Sequence, residues 1–517
     1  MSNQQSIGLQ LIAAGLAIVS IACLAACPAR AGELRVGAAN VDVSPRVLPA
    51  ICNGGFTEKI LDKVLDPLHA RALVLDDGHE RIALVVVDSC MIPREVCDLA
   101  KHRAERVTGI HADRMLISAT HTHSAPSVMN YTLGVRADPA YTQFLPAKIA
   151  EAIIEAAGKM QPAEVGWTTV DAPEQTHSRR WIVKPGKAGL DPFGERTVRA
   201  MMHPGYQNPD YAGPSGPVDT QLSLLSFRSP QGQPIALLAN YSMHYFGMSG
   251  GFSADYFGRF VDIASHQIAA ESLAAGNRGL PVVIMSQGTS GDLHWMDYSR
   301  PRRGLTIDQY AGELAEIAVD AYRKIRYRRD VSLAMAQRVL TLDRRTPDAR
   351  RLQWAAALNA ARGDRRPKTR PEVYAEQATY LHEHPTETLV LQAVRIGDCG
   401  ITAIPDEVYG ITGLKLKAQS PLVPTFNIEL ANGASGYIPP PEQHALGGYT
   451  TWPARTAGLE VQAEPKIVDA VLGLLEEVSG RARRPLEQDL YSPEIRARMQ
   501  AVGYSPDEAR QPPAGGK

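Results

Sequence analysis

Short apolar runs rich in β-branched residues recur along this chain with helix-like stretches between them, the pattern of an α/β or mixed α+β domain. Residues 71–75 and 81–88 flank the turn Asp76-Asp77-Gly78 and predict a pair of strands. Further strands are expected at 115–119, 221–227, 234–239, 281–285, 389–396 and 425–430, with helices at 93–107, 141–160, 306–324 and 465–478. The stretch 346–383, rich in Arg and Ala with little β character, predicts a helical insertion or lid. Over residues 481–517 prolines and charges replace apolar periodicity, which predicts a tail along the surface. A chain of 517 residues has room for one large domain or two smaller ones.

The first thirty residues follow another rule. Leu11 to Ala26 runs almost without polar side chains and ends in small residues, as an export leader does, and it falls short of the roughly 18–20 residues of a membrane span. Residues 1–31 are therefore expected to be a signal peptide. Two cleavage readings stay open: Leu24-Ala25-Ala26-Cys27 fits a lipoprotein box with Cys27 acylated, and Ala29-Arg30-Ala31 fits an ordinary site before Gly32. The expected location is periplasmic or secreted, or membrane-anchored through Cys27. Beyond the leader Cys52, Cys90, Cys97 and Cys399 are scattered, with no Cys-x-x-Cys pair, so a cysteine metal site is not expected; Cys90 and Cys97 either pair or stay as buried thiols. A formal net charge of -1 leaves no basic field for nucleic acid.

Polar residues gather just after the predicted strands. The run 115–119 leads into Thr120-His121-Thr122-His123-Ser124, and residues two apart on an extended segment share a face, so His121 and His123 are expected to reach one point. Imidazole is the commonest zinc ligand, and a catalytic zinc needs about three protein ligands. His244 follows a second apolar run. Gln287-Gly288-Thr289-Ser290-Gly291-Asp292 follows a third, Pro405-Asp406-Glu407 a fourth, and Ala431-Asn432-Gly433 through Tyr437 a fifth. Five such loops predict one convergent pocket.

These pieces, in this order, resemble the N-terminal catalytic domain of the neutral/alkaline, non-lysosomal ceramidase family. Arg71 to Leu75, Ala119 to Pro126, Asn240 to His244, Gln287 to Asp292, Pro405 to Glu407 and Ala431 through Tyr449 carry the likeness, which spans most of residues 35–480. The resemblance implies a single large α/β catalytic domain at 32–480, with mixed sheets covered by helices. It implies one Zn2+ held by His121, His244, Glu407 and Tyr437, with His123 beside the metal as a catalytic residue. Tyr449 matches a second active-site tyrosine, and the family's arginine falls on Arg180, with Arg179 as the alternative.

The implied reaction is hydrolysis of an amide, an N-acyl bond in a small-molecule or lipid substrate, by metal-activated water. Arg180 and Tyr449 would stabilise the oxyanion, and His123 would serve the leaving amine. Two departures stand out. The family's Gly-Asp-x-Ser-Pro reads Gly291-Asp292-Leu293-His294-Trp295 here, so His294 takes the serine's position as an added acid, base or ligand. The roughly 35 residues after the last helix are also too few for the family's C-terminal β-sandwich. The alternatives are a zinc esterase, a two-metal phosphoesterase using Asp88, Asp255 and Asp292, and a binding protein without turnover. Leu352, Trp354 and Leu358 fall at helical spacing and either face a lipid tail or pack as core.

Overall fold

The computed structural model describes residues 33–504 apart from 131, 248–249, 275 and 278, so the expected leader and Cys27 lie outside the described residues. The protein is mixed α/β, with three main sheets. One orders its strands Met115–Ala119, Arg81–Val87, His69–Asp76, Arg35–Asp42, Gln161–Pro162; a second, Val282–Gln287, Pro234–Tyr241, Gln221–Arg228, Glu164–Asp171, Tyr327–Arg328; a third, Leu333–Asp343, Thr386–Ile396, Cys399–Ala403, Thr425–Ile428. Most neighbours are antiparallel, and the expected hairpin forms where Asp76 and Asp77 accept the backbone N–H groups of Gly78, His79 and Glu80.

Each sheet also holds one parallel pair. Arg81–Val87 runs beside Met115–Ala119, Pro234–Tyr241 beside Val282–Gln287, and Cys399–Ala403 beside Thr425–Ile428. A parallel return needs a crossover, and the helices Arg94–Thr108, Asp255–Ala274 and Gly410–Gln419 supply it in turn. Apolar residues of all three sheets, among them Leu84, Leu238 and Val394, meet in one shared core. Helices Arg94–Thr108 and Pro139–Gly158 bury the other side of the first sheet, Asp255–Ala274 and Ile307–Tyr322 that of the second, and Ala463–Ser479 that of the third.

Residues 346–383 form two helices, Ala349–Arg362 and Arg370–Glu383, whose Trp354 and Leu358 are taken up in side-chain packing. Segment 481–504, expected as a surface tail, ends in a helix at Pro493–Ala501 that buries Tyr491, Ile495, Met499 and Tyr504 beside Tyr409 and Tyr437. All four cysteines of the described residues are buried free thiols. No helix among those residues is long and apolar enough to cross a membrane.

The segment after Thr425–Ile428 ties the sheets together. Glu429 N–H donates to Gln287 O, Leu430 O accepts from Ala119 N–H, and Asn432 N–H donates to Ile117 O. The Asn432 side chain receives buried Lys101 Nζ at 2.6 Å and donates to Gln392 Oε1 at 2.7 Å. Replacing it by alanine takes away the hydrogen-bond acceptor of a buried ammonium, and a hydrogen bond to a charged group is worth about 1.5–3 kcal/mol. Asn432→Ala should therefore lower stability by about that amount in chemical denaturation, and Asn432→Ala with Lys101→Met should recover part of it.

Candidate metal centre

The C-terminal ends of the three parallel pairs point to one place, as ligand-binding crevices do in parallel sheets. Cys90 and His121 follow the strands of the first pair, His244 and Ser290 those of the second, Glu407 and Glu429 those of the third. His121 Nε2 lies 3.0 Å from His244 Nε2, 3.1 Å from His123 Nε2 and 3.3 Å from Glu407 Oε2. Glu407 Oε2 is 3.7 Å from His244 Nε2.

Hydrogen bonds on the far side of the rings fix what these atoms offer. His121 Nδ1 lies 2.8 Å from Cys90 O and His244 Nδ1 3.3 Å from Ser290 O. A carbonyl only accepts, so each Nδ1 carries the proton and each Nε2 presents a lone pair. Burial, then Arg179, hold His244 well below its ordinary pKa; burial, then His121, do the same for His123. Two lone pairs therefore face each other across 3.0 Å, with a fully buried carboxylate oxygen that has no hydrogen-bond partner beside them. That arrangement repels itself unless a cation sits within it. Asp406, Glu407 and Glu429 are all buried, and among the described residues none forms an ion pair with Lys or Arg. The donor set thus fits a divalent metal: His121, His244 and Glu407 offer ligand atoms within 4.8 Å of one another. His123 groups instead with His121 and Cys90.

The His121–His123 convergence has a different cause from the one expected. The chain is not extended here, because His121 adopts φ 70°, a left-handed conformation held by its N–H to Ser89 O and its ring to Cys90 O. Such a residue costs on the order of 1–3 kcal/mol and persists where its surroundings over-determine it. His123 then stacks on Tyr245, ring centroids 3.7 Å apart, a contact the sequence did not announce.

Tyr437 stands opposite Glu407 in a short parallel ladder, and Tyr449 meets it edge to face at 5.6 Å. Each tyrosine follows a glycine with positive φ, Gly436 and Gly448, at which any Cβ would run into neighbouring backbone. Both line a cavity of about 520 Å³ together with His121, His123 and Glu407. Its remaining walls set apolar side chains, Phe56, Met91, Leu133, Met201 and Trp452, beside polar ones such as Thr132, His203 and Tyr245, and its cations are Arg179 and Arg370.

Arg180 does not reach this cavity. Its guanidinium is spent on Gln443 Oε1 (3.0 Å) and on the carbonyls of Ala200, Gln443 and Gly447, bracing the loop that leads to Tyr449. Arg179 is the arginine that lines it, donating to Gly291 O at 2.8 Å and Tyr437 Oη at 3.1 Å, with its Nε–H unpartnered. Adjacent residues of an extended segment face opposite ways, so only one could enter. His294 is also displaced from the expected position: it is buried behind His203 (5.3 Å) and Tyr245 (5.4 Å) and does not line the cavity. The three aspartates of a two-metal site disperse as well. Asp88 pairs with Arg71 at 2.8 Å, Asp255 accepts the N–H groups of Phe246, Gly247 and Tyr256, and Asp292 accepts that of Gly410.

No family model matches the sequence. Among solved structures, the neutral ceramidase from Pseudomonas aeruginosa is similar with TM-score 0.63 over 90% of this chain and 77% of that one, at 15% identity. A ceramidase complexed with C2 gives TM-score 0.63 over the same shares, at 16% identity. The fold is that of the ceramidase catalytic domain. The two arginines separate by stability: Arg180→Met strips the partner from the carbonyls of Ala200, Gln443 and Gly447 and from Gln443 Oε1, and should cost about 2–4 kcal/mol in denaturant unfolding, at least twice the cost of Arg179→Met.

Proposed function

We propose that this protein is a zinc-dependent hydrolase that cleaves an amide, an N-acyl bond in a lipid-like substrate. The observation that carries this reading is the buried meeting of two imidazole lone pairs and a carboxylate beside a cavity with an apolar side, into which Arg179 brings an unpartnered Nε–H. The structural likeness to ceramidases supports the same reaction class. In this reading His121, His244, Glu407 and Tyr437 hold the ion. Zinc at such a site supplies the positive charge that acidifies water and polarises a carbonyl.

The chain's own residues carry the remaining work. His123, kept neutral by burial, takes a proton from the attacking water and passes it to the departing nitrogen as the carbonyl–nitrogen bond breaks, giving a carboxylate and an amine. Arg179 directs its free Nε–H toward the oxyanion, and Tyr449 adds a phenol beside it. His294 supports Tyr245 from behind instead of meeting the substrate. Apolar walls at Phe56, Leu133 and Trp452 suit an acyl chain. Residues 1–31 act in this reading as an export leader, to be checked by the mass of the mature N-terminus: a start at Gly32, or a lipid-modified Cys27.

Metal analysis of the purified protein should find one zinc per chain, lost in His121→Ala and in His244→Ala and kept in His123→Ala. Two metals per chain would favour phosphoester cleavage, and none a binding protein. On a panel of N-acyl amines, ceramides and matched esters, the amides should turn over faster. Arg179→Met should lower kcat by about 10²–10³-fold with metal content unchanged. Turnover of esters alone, with every amide inert, would overturn the amide assignment.

A further inference from the structure

Glu429, just past the strand Thr425–Ile428, is fully buried and carries no ion pair among the described residues. Its carboxylate nonetheless accepts three hydrogen bonds. Oε1 accepts from Ser290 Oγ at 2.8 Å, while Oε2 accepts the backbone N–H of Val408 at 2.7 Å and of Ser290 at 3.3 Å. Its own N–H is bound to Gln287 O. Val408 is the residue after Glu407. Ser290 places both its carbonyl (3.3 Å) and its hydroxyl (3.4 Å) against His244 Nδ1, and Gln287 Nε2 donates to that hydroxyl and to His244 O.

We infer that Glu429 is a positioning residue for the metal centre, a buried carboxylate that orients His244 through Ser290 and Glu407 through the Val408 amide. Ser290 gives its hydroxyl proton to Glu429, so its oxygen lone pairs are left to receive Gln287 and the His244 Nδ1–H. That polarity keeps His244 Nε2 unprotonated and aimed at the other ligands. One group thereby aligns ligands from two different sheets. This rests on the proposed zinc reading and concerns affinity, not the chemistry of turnover.

The test uses chelator-stripped full-length protein titrated with Zn2+ against a chromophoric chelator, with thermal unfolding of the metal-free form followed in parallel. Glu429→Gln, which keeps the shape and removes the charge, should weaken zinc binding by about 10–100-fold. Its metal-free form should melt close to the parent's temperature, because the amide keeps the size and shape of a carboxyl that burial and Glu407 already disfavour as an anion. Ser290→Ala should weaken binding in the same direction, and the double variant should lose less than the product of the two single losses. A Glu429→Gln protein that binds zinc as tightly as the parent overturns the inference, as does one whose only change is a lower melting temperature. Should Glu429→Gln fail to fold, unchanged affinity in Ser290→Ala overturns it equally. A parent chain that binds no divalent ion overturns the zinc reading itself and this inference with it.

Discussion

Two imidazole nitrogens, each with its proton committed to the far side, face one another across 3.0 Å of buried space with a bare carboxylate oxygen alongside. Electrostatic repulsion at that point must be offset by a cation, and much of the surrounding structure reads as the means of holding the ligands there. The carbonyls of Cys90 and Ser290 lock the two tautomers. A left-handed His121 turns its ring inward, and Leu430 and Asn432, also at positive φ, fold the connecting segment back across the sheets. Strained residues gathered at a site are the local sign of a geometry imposed by the whole fold.

That whole is three parallel strand pairs in three sheets, with a shared apolar core between them. Because each pair needs a crossover helix, each presents its two C-terminal ends together, and the backbone amides and short polar side chains of six loops become available at one point. The antiparallel strands widen the sheets and supply the core. The peripheral helices Arg370–Glu383 and Pro493–Ala501 serve the same place differently: the first carries Arg370 to the cavity, and the second buries the side of the layer that contains Tyr437.

The strands with unbroken apolar runs, such as Arg81–Val87 and Met115–Ala119, were legible in the sequence because both their faces are buried. So was the fact that polar residues cluster after them. Helix Asp255–Ala274 gives a weak amphipathic signal, since its first turns are buried on almost every side, and the long strand Leu333–Asp343 is masked by the exposed stretch at its centre, where Arg338 follows Gln337. The tail helix was hidden by its prolines and charges, though Tyr491, Ile495 and Met499 fall at helical spacing.

At the site, residue types were legible and directions were not. The choice between Arg179 and Arg180 turns on the parity of one short strand beginning at Arg180, which pairing with Met202 and a loop carbonyl decides. The position of His294 depends on a two-residue ladder with His177 that no local pattern encodes. The same holds for Glu429: a glutamate at the end of an apolar strand reads as a solvent-facing terminus, and only the arrival of Ser290 and Val408 from other strands converts it into a buried acceptor. Chemistry written in single residues can be read from a chain, but chemistry that depends on which distant backbone amide a carboxylate meets requires the assembled fold.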